Sequence, residues 1–143
     1  MNPLREWLLQ VPIRALIDTD PAFMQIRHLN NPDALQTARL HNAFLTFGEN
    51  IGQAECAMPS DGLPWQPTRQ PIVLDAWPVT AGPRDGNFSI MMQWESYPAL
   101  RYDGRTYGMK SLSFPAYYDL PQKTGPRLEV AIGGGSAPRE RLA

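Results

Sequence analysis

One cysteine, Cys56, and two histidines, His28 and His41, are all that this 143-residue chain has of the side chains that most often carry redox or nucleophilic chemistry. A lone cysteine rules out an internal disulfide and a cysteine-rich metal cluster. Neither histidine has a serine or cysteine partner at a recognisable spacing, so a Ser-His-Asp or Cys-His mechanism has no support. No metal or cofactor is expected. A basic excess is lacking too: 13 Lys+Arg stand against 14 Asp+Glu, without the positive footprint of a nucleic-acid binder. No apolar run approaches a membrane span, and the first residues lack the basic start and long apolar core of a signal peptide. The expectation is a cytoplasmic protein that contacts neither nucleic acid nor membrane.

What is present is enough apolar surface for a core, with 43% hydrophobic residues in a length that suits one domain or two very small ones. Proline is abundant. Its 15 residues are about twice the usual share of ~5%, which predicts short elements and stiff connections.

The pattern is of α/β type, a mainly parallel sheet built from βαβ-type units with Rossmann-like character. Asn2-Pro3 before Leu4, Trp7 and Leu8 reads as a helix start that Pro12 ends. Arg14–Ile17 is a short strand, and Asp18-Thr19-Asp20-Pro21 turns the chain into a helix from Ala22 to about Leu29, with Asp20 as its cap. Asn30-Asn31-Pro32-Asp33 repeats that grammar, and Ala34, Leu35, Ala38 and His41 share one helical stripe. Ala43–Phe47 is the next strand, parallel to the first, with its loop at Gly48–Gly52. A third strand is expected at Ile72-Val73-Leu74. Residues 1–81 thus form a partial Rossmann-like unit, 82–86 a Gly-Pro linker, and 87–143 the opening elements of a second α/β unit that can merge with the first. There the pattern predicts a strand over 87–94 and an Asp103-Gly104 hairpin. Short helical pieces around Pro115 are expected to end before Pro121. A strand at Leu128–Ile132 leads into Gly133-Gly134-Gly135-Ser136, with a helix opening at Pro138.

Candidate site residues lie at strand ends, where α/β proteins usually bind ligands. Asp18 and Asp20 flank a strand end and are candidates for an acid or a metal ligand, though Asp20 capping the helix and Asp18 fixing the turn explain them more simply. Glu49 suits a catalytic base, and Glu49 with Asn50 suits a sugar diol; both equally suit the backbone donors of a Gly48–Gly52 turn. Arg69 is placed to clamp a phosphate or carboxylate, or to pair with Asp75 or Glu49. Gly134 and Ser136 precede a helix N-terminus and are candidates for an anion, against the simpler reading of a flexible turn. Trp65, Trp77 and Trp94 are more often core anchors than stacking platforms.

Ile17-Asp18-Thr19-Asp20-Pro21, Thr46-Phe47-Gly48-Glu49-Asn50-Ile51-Gly52 and Pro67–Leu74 resemble the middle of bacterial glycosyltransferase-like proteins of the two-Rossmann-domain (GT-B) type. The likeness continues through Trp94–Tyr97, Tyr107–Lys110 and 119–134. It implies the late part of an acceptor-side domain, a linker and the opening of a donor-side domain. Asp18, Glu49, Asn50 and Arg69 would then face the interdomain cleft. The segment that makes most nucleotide-sugar contacts in such proteins is missing from this chain, so the resemblance implies a glycosyltransferase-like remnant without transferase activity, retaining weak sugar or nucleotide binding. Two alternatives stand beside it: a structural or interaction module acting through a dimer surface, and a small enzyme on a sugar or phosphate substrate. Partial sheets leave edges unpaired, so a homo-oligomer is expected.

Overall fold

The computed structural model describes residues 4–125, 127–133 and 136–142. They fall into two compact units, one holding the residues up to Val73 with Leu100–Asp103, the other Leu74–Ala99 and the chain from Gly104 onward. Both mix helices with small parallel sheets, in keeping with the α/β expectation.

In the first unit a 3-10 turn at Glu6–Gln10 precedes β1 (Ala15–Asp18), α1 (Phe23–Asn30), α2 (Pro32–Ala38), β2 (Ala43–Thr46) and β3 (Gln66–Pro67). The strands lie side by side in the order β1-β2-β3, all parallel, with Ala15 opposite Ala43 and Asp18 opposite Thr46. The βαβ pattern read from the chain is therefore present. Alternation does the sorting: Leu16 and Asp18 on β1, and Phe44 and Thr46 on β2, point inward, while Ala15 and Ile17 point out. Leu16, Phe44 and Ala38 of α2 form the apolar core, with Met24 of α1, Leu63 and Trp65 packed against it. Trp65 meets Phe44 edge-on at 5.6 Å between ring centroids.

Asn31-Pro32 starts α2 as its chemistry dictates, the Asn31 side chain accepting from the Asp33 and Ala34 N–H groups and Pro32 occupying the first turn. That helix stops at Ala38, so His41 lies beyond it, its Nδ1 2.9 Å from the Ala38 carbonyl. The start of α1 differs from expectation. Ala22, not Asp20, is the residue before the helix, and its φ of 73° is a conformation that costs a non-glycine residue about 1–2 kcal/mol. The cause is Asp18. Its buried carboxylate accepts the Asp20 N–H at 3.0 Å, the Gln25 Nε2–H at 2.9 Å and the Thr46 hydroxyl at 2.9 Å. Gln25 in turn accepts the Ala22 N–H at 2.8 Å, which delays the helix.

The strand expected at Ile72-Val73-Leu74 does not form. Its place beside β2 is taken earlier, by Gln66-Pro67, and the Thr68 N–H reaches the Thr46 carbonyl at 2.7 Å to close that pairing. Residues 72–74 are exposed instead, and Leu74–Ala76 is a 3-10 turn. Pro71 contributes no N–H to a ladder at that point, which removes one reason to pair there.

In the second unit β4 (Phe88–Gln93) pairs in parallel with β7 (Leu128–Gly133), Phe88 opposite Leu128 and Gln93 opposite Gly133. The Asp-Gly signal is a hairpin: β5 (Leu100–Tyr102), which groups with the first unit, and β6 (Arg105–Tyr107) join through Asp103 and Gly104, both at positive φ. Helical pieces follow as α3 (Lys110–Ser113), a 3-10 turn (Phe114–Tyr117) and α4 (Leu120–Thr124). The last contains Pro121 rather than ending before it, because proline is tolerated in a first helical turn. Trp94, buried just past β4, packs edge-on against Phe114 at 5.9 Å, and α5 (Arg139–Leu142) brings Arg141 over the Tyr118 ring.

Asp18→Ala removes the acceptor of three donors, two of them buried side chains. Unfolding in urea at neutral pH should show a loss of about 2–4 kcal/mol, against less than about 1 kcal/mol for Ala substitution of exposed Asp33.

Candidate functional site at the carboxyl ends of the first sheet

The Thr46 hydroxyl that donates to Asp18 also accepts the Gly48 N–H at 3.0 Å, so the buried carboxylate sets where β2 lets go of the chain. Gly48-Glu49-Asn50-Ile51 is then a tight turn, the Ile51 N–H bonding the Gly48 carbonyl at 3.1 Å. A Cβ on Gly48 would stand 2.7 Å from the Ile51 side chain and 3.1 Å from Pro21, so a larger residue there would have to displace Ile51. The turn thereby presents Glu49 and Asn50 to solvent beside the chain leaving β3. From that side Arg69 Nη2 donates to Glu49 Oε1 at 2.6 Å. Both side chains remain largely exposed, 81% and 69%, so the pair contributes little to stability, of order 0–1 kcal/mol. An incoming anion or polyol can therefore take either partner at small cost.

Of the residues singled out from the sequence, Glu49, Asn50 and Arg69 come together at this turn. Asp18 lies at the end of the adjoining strand, fully buried, its two oxygens engaged by Asp20, Gln25 and Thr46. Ser136 is exposed in the second unit, ahead of the four-residue α5, and Gly134 lies outside the described residues. Among the described residues no group of three or more His, Cys, Asp or Glu side chains is placed to hold a metal ion, and no helix is long and apolar enough to cross a membrane.

A second polar centre was not read from the sequence. His28 of α1 and Asp61 of the loop before β3 are both buried, with His28 Nδ1 2.7 Å from Asp61 Oδ2. The other Asp61 oxygen accepts the Trp65 indole N–H at 2.9 Å and the Leu63 N–H at 3.1 Å. Burial pushes the Asp61 pKa up, but the hydrogen bonds from His28, Trp65 and Leu63, with the His28 charge, outweigh it and hold the carboxyl below its ordinary value. His28 Nε2 is buried without a protein partner among the described residues. One clue was available: Gln25 and His28, three apart, put two polar side chains on one face of α1, and both prove buried. No motif marks Asp61, which reaches His28 across 33 residues. In the second unit an open hollow lined by Met91, Met92, Gln93, Ala131, Ile132 and Gly133 holds no titratable side chain and offers no chemistry.

No protein-family model matches the chain, and no curated protein or solved structure matches it.

A carboxyl with a lowered folded-state pKa adds stability above its unfolded value, about pH 4, and loses it as pH falls through the folded value. Asp61→Asn should cost about 1–3 kcal/mol at neutral pH and flatten the acid limb of stability against pH. Urea melts between pH 2.5 and 6 measure both.

Proposed function

We propose that the turn at Gly48–Ile51, with Arg69, binds a sugar or nucleotide sugar weakly, in a glycosyltransferase-like chain without transferase activity. The observation that carries this reading is the exposed Glu49–Arg69 pair at the carboxyl ends of parallel β2 and β3. That end of a parallel sheet is where α/β proteins place ligands. A carboxylate and an amide, Glu49 and Asn50, are suited to a vicinal diol, and a guanidinium is suited to a phosphate through two parallel N–H donors. The resemblance of 17–21, 46–52 and 67–74 to GT-B glycosyltransferase-like proteins supports the same ligand class. Two separate parallel pairings, β1-β2-β3 and β4-β7, are compatible with pieces of two Rossmann-like sheets.

Binding without turnover follows from the chemistry within reach. Asp18, which ends β1, is sealed from solvent and hydrogen-bonded, and the exposed Glu49 is itself neutralised by Arg69. An open site with one charged pair supports affinity in the range of Kd about 0.1–1 mM rather than tight binding.

Titration calorimetry with uridine and guanosine diphosphate sugars, and with the free nucleotides and sugars, tests the reading. Wild type should bind at least one nucleotide sugar, and Arg69→Ala should weaken that binding at least about fivefold while leaving the melting temperature in place. No heat of binding with any of these compounds at millimolar concentration would defeat it.

A further inference from the structure

The chain between Pro71 and Thr80 carries Ile72, Val73, Leu74, Trp77 and Val79, and every one of these side chains is 62–103% exposed. Five large apolar side chains in eight residues exceed the scattered apolar exposure normal on a protein surface. The same chain leaves a second apolar surface open. Phe88, Ile90, Met92 and Trp94 share one face of β4, and their exposure falls from 74% through 47% to 9% and 4%. Leu128, Val130 and Ile132 of β7 continue that face, half-buried. One end is therefore covered, where Trp94 meets Phe114, and the Phe88 end is bare. Among the described residues no strand pairs with the outer edge of β4, and Phe88–Gln93 has no charge or proline of the kind that blunts an exposed edge. Parallel strands are normally covered on both faces.

We propose that the 72–79 arm of one copy docks on the Phe88 end of the β4–β7 face of a second copy, and that reciprocal exchange makes a two-fold dimer. Donor and acceptor surfaces reside on the same chain, which is what a closed exchange requires. Area supports this occupant. The five arm side chains with Phe88 and Ile90 expose on the order of 100–200 Å² each, so covering two thirds of it in both halves removes roughly 1,300 Å², within the range of specific interfaces. This interface is independent of the Glu49–Arg69 turn.

Sedimentation equilibrium of the full chain at micromolar concentration should give twice the 16.1 kDa monomer mass. Trp77→Asp in the arm, and separately Phe88→Asp on the face, should each raise the dimer Kd at least about tenfold, since either buries a charge in an apolar contact. Both positions are exposed in the single chain, so each variant should melt within a few degrees of wild type. A mixture of the two retains one intact arm and one intact face, and should form heterodimers more readily than either variant pairs with itself. A monomeric wild type overturns the proposal. So does a dimer indifferent to Trp77→Asp, or a mixture that pairs no better than the separate variants.

Discussion

A single buried carboxylate organises the first unit. Asp18 ends β1 inside the protein, where an unpartnered charge would be strongly unfavourable, so the chain must bring donors to it. They come from three places: the backbone of the following turn, Gln25 of α1 and Thr46 of β2. Each fixes something further out. Gln25 holds Ala22 in a left-handed conformation and so decides where α1 begins. Thr46, opposite Asp18 in the ladder, secures the register of β1 against β2 and then receives the Gly48 N–H. The exposed turn with Glu49 and Asn50 is thus held in place by a group that never meets solvent.

His28 and Asp61 perform a similar service for the long loop between β2 and β3. That loop has no regular structure before Gln66, and its prolines and glycines give it no periodic apolar face to bury. Asp61 ties it to α1 through His28, and through the indole of Trp65 it orients the ring that packs on Phe44. The apolar core beneath is small, built on Leu16, Ala38 and Phe44. With so little area to discriminate among arrangements, two buried hydrogen-bonded centres supply much of the geometric definition.

In the second unit the balance is reversed. Trp94, Phe114, Tyr117 and Tyr118 form an aromatic cluster beyond the end of β4, and the sheet there is apolar on one face over its whole length. Only part of that face is covered within the unit. The uncovered part and the edge of β4 that meets no strand among the described residues are two expressions of the same shortage of partner surface in a two-stranded parallel sheet.

Local pattern was sufficient for what depends on neighbours in the chain. The alternating runs at 15–18 and 43–46, the Asn31-Pro32 helix start, the Asp103-Gly104 turn and the strands at 88–93 and 128–133 are all legible, because capping, turn conformation and period-two burial are properties of a few adjacent residues. The meeting of Glu49 with Arg69 was legible only as one option among others. Pairing of Asp61 with His28, the sealing of Asp18, the displacement of Asp20 from the cap and the choice of Gln66-Pro67 over Ile72–Leu74 as the strand beside β2 were decided by tertiary structure. Each is settled by a competition between distant groups for one buried donor, acceptor or ladder position, and residue type alone does not say which competitor arrives.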